Sequence, residues 1–92
     1  MAASGHGYSR YVLSRMAEAQ KGKADAYYDL GLVYATGQGV DRDLIEAHKW
    51  FNLAAARGLR RAIADREELA RDMSPVEIAE AQRQARQWLQ AH

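Results

Sequence analysis

Apolar side chains recur along most of the chain at spacings of three and four residues, the period of one face of an α-helix. Glycine-containing or polar segments interrupt this pattern at four places. No alternating run of β-branched residues competes with it, so the pattern does not favour strands. It predicts five helices, placed at about residues 8–21, 24–35, 44–57, 60–71 and from residue 75 onward.

The predicted helix ends carry local signals of their own. Gly22, Gly37 and Gly58 follow apolar-periodic segments, where helices commonly end in a left-handed residue. Asp43 is a favourable N-cap for the third helix. The segment Ser74-Pro75-Val76-Glu77 combines a capping box with proline at the first helical position. Because the connections are short, neighbouring helices should be antiparallel and form stacked hairpins.

The apolar stripe of each helix predicts the core. Gly31 lies inside the second helix, where glycine costs about 1 kcal/mol relative to alanine, so we expect a neighbouring helix to approach it closely. His48 is expected to be partly exposed. The stripes comprise, in chain order, Tyr8, Tyr11, Val12, Met16 and Ala19; Tyr27, Leu30, Gly31 and Tyr34; Leu44, Ala47, Trp50, Phe51, Ala54 and Gly58; Ala62, Leu69, Ala70 and Met73; and Ile78, Ala81, Ala85, Trp88 and Leu89.

Composition narrows the class of protein. The 92 residues fit one domain, and 13 basic against 12 acidic side chains give a formal charge of +1. Such a balance lacks the one-sided field expected of a nucleic-acid or anionic-membrane binder. The chain has no cysteine, no apolar run of about 18 residues and no apolar stretch behind its polar start. These features predict a cytoplasmic protein without a membrane span.

Candidate chemistry is sparse. His6, His48 and His92 are not spaced to share a helix face, and no cysteine or acidic cluster completes a metal site with them. Gly37-Gln38-Gly39 lacks both the lysine and the preceding strand of a phosphate-binding loop. No nucleophile and base can be paired by position. We therefore expect no catalytic residues, no metal site and no cofactor, and we do not expect an enzyme.

An internal period of 36 residues is present. Gln20-Lys21-Gly22 followed by Ala26 recurs as Ala56-Arg57-Gly58 followed by Ala62. A helix–loop–helix unit of this length does not bury its apolar stripe alone, so it stacks on similar units.

One stretch of the chain resembles a full Sel-1-like repeat, a relative of the tetratricopeptide repeats with a longer loop between its two helices. Its flanks match less well, because Arg66, Glu67 and Ala70 stand where the pattern has leucine, glycine and tyrosine. The chain also resembles small bacterial-type repeat proteins. The resemblance to the repeat is carried by the run from Ala24 to Val40 and by Asp43, Ala47, Lys49-Trp50-Phe51, Ala54-Ala55 and Gly58.

The resemblance implies an all-α fold, a short α-solenoid of about five antiparallel helices. We interpret the chain as a single domain, residues 1–92. Within it, residues 8–22 form a half repeat, 23–58 a full repeat and 59–92 a degenerate capping repeat. The first helix of each hairpin would line a concave face.

The resemblance also implies a protein–protein interaction module, an adaptor or scaffold that binds a protein or peptide partner through this concave face. Tyr28 and Leu32 lie four residues apart and form a ledge flanked by acids. Packing of Tyr28 against the neighbouring hairpin is the equally weighted alternative. The candidate partner-binding residues are Asp25, Tyr28, Asp29, Leu32 and Thr36.

Two alternatives remain open. In the first alternative, the chain is a small obligate subunit of a complex or a self-associating protein, such as a homodimer. It would use an open N-terminal helix with Tyr8, Tyr11, Val12 or Leu13 exposed. Weak nucleic-acid binding through the arginines of the second half is the other alternative, and salt-sensitive retention on heparin would reveal it.

Overall fold

The computed structural model describes residues 8–92, and these form five α-helices joined by short connections. The helices are α1 (Arg10–Gln20), α2 (Ala24–Thr36), α3 (Leu44–Ala56), α4 (Arg61–Ala70) and α5 (Pro75–Ala91). No strand occurs among these 85 described residues (8 to 92). The prediction of an all-α fold is confirmed. Each helix begins within two residues of its predicted start, and α1 to α4 end within two residues of their predicted ends.

Side-chain caps determine where three of the helices begin. The Asp43 carboxylate accepts a hydrogen bond from the backbone N–H of Glu46, and so caps α3. Ser74 and Glu77 form the predicted reciprocal capping box at the start of α5. Ser9 caps α1 by accepting from the backbone N–H of Val12, an interaction that the sequence analysis did not identify. These ends are therefore set by local chemistry.

The α2–α3 hairpin is the centre of the molecule. Helix α1 packs mainly against α2, whereas α4 and α5 both pack against α3. Helices α4 and α5 make few direct contacts with each other. The stacked arrangement is that of a short helical repeat solenoid, in which the last two helices diverge above α3.

Gly31 allows the close approach of α2 and α3. It is buried, and a Cβ atom at this position would overlap the ring of Phe51. The absence of a side chain therefore admits the Phe51 ring against the α2 backbone. This confirms the predicted reason for a glycine inside a helix.

Three aromatic side chains join α2, α3 and α5. The Tyr27 and Trp50 rings stack with centroids 5.7 Å apart, and Trp88 meets Trp50 edge-on at 4.9 Å. Trp88 Nε1 also donates a hydrogen bond of 3.1 Å to the Tyr27 hydroxyl. These contacts hold the C-terminal half of α5 against the central hairpin.

The structure corrects the predicted core at five positions. Tyr8 and Tyr11 are about half exposed, because α1 lies at one end of the stack and packs mainly against α2. Leu89 is 50% exposed, since α4 does not close over α5. Gly58 is exposed in the turn after α3. His48 is instead buried, at 3% exposure, because α3 is covered by three other helices.

Candidate functional site

The candidate partner-binding residues share one face of α2. Their spacing of three, four, seven and eleven residues along one continuous helix brings them together. Contacts from this face reach α1 on one side and α4 on the other. These residues are Asp25, Tyr28, Asp29, Leu32 and Thr36.

Tyr28 reaches from α2 to the next hairpin. Its hydroxyl donates a hydrogen bond of 2.5 Å to Asp65, and its ring lies 5.6 Å from that of Phe51. The Arg61 guanidinium lies 4.5 Å from the centre of the Tyr28 ring. The hydrogen bond to Asp65 raises the pKa of the Tyr28 phenol. Tyr28 is therefore half-buried against α4, as the packing alternative predicted, and its role in binding remains a prediction.

The polar members of this face have partners within the chain. Asp29 forms an ion pair of 3.3 Å with Arg15 of α1. Asp25 accepts a hydrogen bond from the backbone N–H of Ala26, and the Thr36 hydroxyl donates to the Leu32 carbonyl at 2.8 Å. Leu32 differs from them, because its apolar side chain is 40% exposed. It is therefore an exposed apolar side chain that a partner can contact.

Leu32 lies in a shallow groove of about 240 Å³ between α2 and α4, named here the α2–α4 groove. Asp65, Glu68 and Asp72 form its acidic wall on the α4 side. Arg42 stands at the α2 side, where its Nε donates to the Ala35 carbonyl at 2.9 Å. The groove is lined by Leu32, Ala35, Arg42, Phe51, Asp65, Glu68, Leu69 and Asp72.

The sequence analysis missed the α4 wall of this groove. From the sequence, α4 was assigned only an inward-facing apolar stripe. The signal was present as three acids at spacings of three and four residues, Asp65, Glu68 and Asp72, which places them along one helical side.

A second opening lies between α4 and α5 and is named here the α4–α5 slot. Its volume is about 460 Å³, larger than that of the α2–α4 groove. It includes Leu89, which had been predicted to be buried. The slot is lined by Asn52, Leu53, Ala55, Ala56, Ile63, Arg66, Gln82, Ala85, Arg86 and Leu89.

The N-terminal end presents a third apolar surface. Tyr8, Tyr11 and Leu13 are each about half exposed. Val12, in contrast, is fully buried in the core, where it faces the rest of the stack. The expectation that Val12 contributes to an exposed strip is therefore wrong, and Leu13 joins the two tyrosines instead.

Buried and charged groups outside these surfaces have limited chemistry. Burial, with a smaller effect of Arg66, lowers the pKa of His48, and its Nδ1 has no hydrogen-bond partner among residues 8–92. Hydrogen bonds from Lys23 and Lys21 lower the pKa of Glu18 to about 2. Over the same residues, no three His, Asp or Glu side chains are grouped to hold a metal ion, and His6 lies outside them.

A helix must be about 20 residues long and predominantly apolar to span a membrane. Within the described part of the chain, no helix combines the length and the apolar character needed to cross a bilayer.

Comparison with known proteins identifies the central hairpin. Residues 24–59 match the profile of the family described as the Sel1 repeat. This segment contains α2, the loop after it, α3 and the following turn. No curated protein and no solved structure shows significant similarity to the chain. Residues 24–59 therefore form a Sel1 repeat within an all-helical stack.

Proposed function

We propose that this protein is an adaptor or scaffold that binds a partner protein through the α2–α4 groove. Sel1 repeats are generally protein–protein interaction modules and are typically not enzymes. The observation that carries the proposal is the exposed Leu32 side chain facing a wall of three carboxylates. An apolar anchor beside fixed charges can provide both affinity and selectivity.

The chemistry of the groove favours an extended segment with one apolar side chain flanked by lysine or arginine. Leu32 and Leu69 offer apolar contact, and Asp65, Glu68 and Asp72 outnumber the single Arg42. Its volume of about 240 Å³ is below the range of about 300–1,000 Å³ that is usual for small-molecule pockets. A protein segment therefore fits the groove better than a small ligand does.

Affinity capture from an extract of the cell of origin tests this proposal. The baits are the wild type, Leu32→Glu and, as a matched control on another surface, Leu13→Glu. Both leucines are about half exposed, so both variants should keep their helicity by circular dichroism. Tyr28 is a poorer probe, because replacing it also removes its contacts with Asp65 and Phe51.

A partner that is retained by the wild type and Leu13→Glu but lost with Leu32→Glu would support the α2–α4 groove. Retention by all three baits would contradict the proposal. Loss with Leu13→Glu alone would transfer binding to the N-terminal surface, which is the self-association or obligate-subunit alternative, with Tyr8 and Tyr11 exposed there.

Nucleic-acid binding remains the alternative from a different class. Several arginines of the second half have partners within the chain: Arg83 pairs with Glu80, Arg66 donates to Asn52, and Arg61 lies over Tyr28. Retention on heparin that falls steeply with salt would favour this alternative over the adaptor.

A further inference from the structure

The α4–α5 slot is bounded on two sides by the faces of helices. Gln82, Ala85, Arg86 and Leu89 recur at spacings of three, four and seven residues, so one whole face of α5 is directed toward the slot. Ile63 and Arg66 face it from α4 at a spacing of three. Both walls rest on α3, which supplies the floor between them.

The floor and lower walls of the slot are apolar and partly uncovered. Leu53, Ala55 and Ala56 come from α3, and Ala85 from α5. Above them, Ile63 is 39% exposed and Leu89 is 50% exposed, on opposite walls. A leucine at this exposure, on the side of a helix that faces a neighbour, is surface that a further helix would bury.

The charge of the slot is one-sided. Arg66 and Arg86 are its charged lining residues, and no carboxylate lies among the others. Arg66 Nη1 donates a hydrogen bond of 2.6 Å to Asn52 Oδ1, which holds its guanidinium along the α3 edge. The α2–α4 groove has the opposite character, with three acids and one arginine. The two openings therefore select different partners.

We propose that the α4–α5 slot binds a single amphipathic helix of a partner protein, with its apolar stripe on Ala56, Ile63 and Leu89 and acidic side chains beside Arg66 and Arg86. Helix-in-groove binding of this kind uses anchors spaced along one helical face. The basic rim adds attraction for the acids and excludes basic helices. This surface is distinct from the α2–α4 groove and goes beyond the function proposed for it.

A second copy of the chain is a less complementary occupant than an acidic helix. The exposed apolar residues of α1 include Tyr11 and Leu13, but the same helix carries Arg10 and Arg15. Insertion of α1 would bring these arginines toward those of the slot. Charge complementarity therefore disfavours α1 of a second copy as the occupant.

Two helical peptides of about 18 residues test the proposal directly. Both carry the same leucine and alanine stripe, flanked by glutamate in one and by lysine in the other. Binding of each to the full 92-residue chain is measured by fluorescence anisotropy at low salt, and amide chemical shifts locate the contact. We expect the glutamate peptide to bind at least about tenfold more tightly and to shift residues of α4 and α5.

A matched pair of variants on α5 sharpens the test. Gln82 lines the slot and Gln87 does not, and both are exposed. Gln82→Lys should tighten binding of the glutamate peptide by about two- to fivefold, whereas Gln87→Lys should leave it unchanged. Arg86→Glu should weaken it by a similar factor. Because these side chains are exposed, the variants should remain folded.

Equal binding of the two peptides, or shifts confined to other surfaces, would overturn the proposal. So would a Gln82→Lys effect no larger than that of Gln87→Lys. A dimer in sedimentation of the chain alone that disappears with Ile63→Glu would assign the slot to a second copy instead. Leu32→Glu should not change binding of the glutamate peptide, so failure of the α2–α4 proposal and failure of this one are distinguishable.

Discussion

The central hairpin and the pair formed by α4 and α5 pack differently. In the hairpin, α2 and α3 approach closely because Gly31 receives the Phe51 ring. Helices α4 and α5 instead rest side by side on α3 and leave the α4–α5 slot between them. One pair of helices is closed by its own side chains, whereas the other presents apolar surface.

The 36-residue period predicts which positions of the two helix pairs are equivalent. Ala26 and its equivalent Ala62 are both fully buried, so the two first helices begin alike. Further along, the exposed Glu67 stands at the position equivalent to Gly31. A glutamate here has no place between close-packed helices, because burying its carboxylate without a partner is costly. Glutamate in place of glycine at this position therefore accompanies the open α4–α5 slot.

The largest difference between the two regions should come from truncating apolar side chains. Phe51→Ala removes a ring that is 2% exposed and should lower the free energy of unfolding by about 3–5 kcal/mol. Leu89→Ala removes a half-exposed side chain and should cost less than about 1 kcal/mol. Urea unfolding followed by circular dichroism measures both. Similar losses would mean that α5 is as closely packed as the hairpin.

The next largest effect concerns the equivalent positions 31 and 67. In Gly31→Ala, the new methyl group meets the Phe51 ring, so we expect a net loss of about 1–2 kcal/mol despite the better helix propensity of alanine. Glu67→Ala should change stability by less than about 0.5 kcal/mol. Adding Phe51→Leu to Gly31→Ala should give a double-mutant cycle with favourable coupling. Additive losses would contradict the close approach.

A smaller effect should show that α5 begins independently of α4. Ser74→Ala removes the side chain that accepts from the Glu77 N–H, which should cost about 1 kcal/mol. Ser14→Ala, at an exposed position within α1, should be neutral or slightly stabilising. Thermal unfolding compares the two, and equal effects would argue against the capping box.

The smallest effect is a dependence on pH through His48. Because burial lowers its pKa in the folded state below the ordinary 6.5, folding is favoured by the neutral ring. Its contribution is complete above pH 6.5 and is lost progressively as the pH falls toward the lowered value. The Tm of the wild type should therefore fall as the pH is lowered below 6.5, and that of His48→Gln should fall less.

The carboxylates of Glu18 and Glu80 do not obscure the onset of this fall in Tm, because hydrogen bonds and ion pairing hold their pKa values at about 2. A His48→Gln variant with the full wild-type decline would show that the histidine is not responsible.

Much of the fold was predictable because its signals are local. The capping residues Asp43 and Ser74 satisfy N–H groups within three residues of themselves. The glycines Gly22 and Gly58 adopt the positive φ that their positions after helices indicated. Gly31 indicated that a neighbouring helix approaches α2 closely, and the Phe51 ring of α3 lies against it.

The candidate sites were only partly predictable, because each joins residues distant in sequence. The ledge of Tyr28 and Leu32 on one face of α2 followed from helical spacing, whereas the exposure of Leu32 is seen only in the structure. The acidic wall at Asp65, Glu68 and Asp72 became part of the site only when α4 packed beside α2. The binding roles of these side chains remain predictions.

By itself, the sequence determined that residues 8–92 form five helices, where each begins, where the first four end, and which hairpin matches a repeat. Tertiary structure alone decided which faces remain uncovered: Leu89 is open, Tyr11 is open and His48 is buried. The physical reason is that helical period identifies an apolar stripe but not the neighbour that covers it. That neighbour depends on how each helix packs on α3, through contacts far apart along the chain.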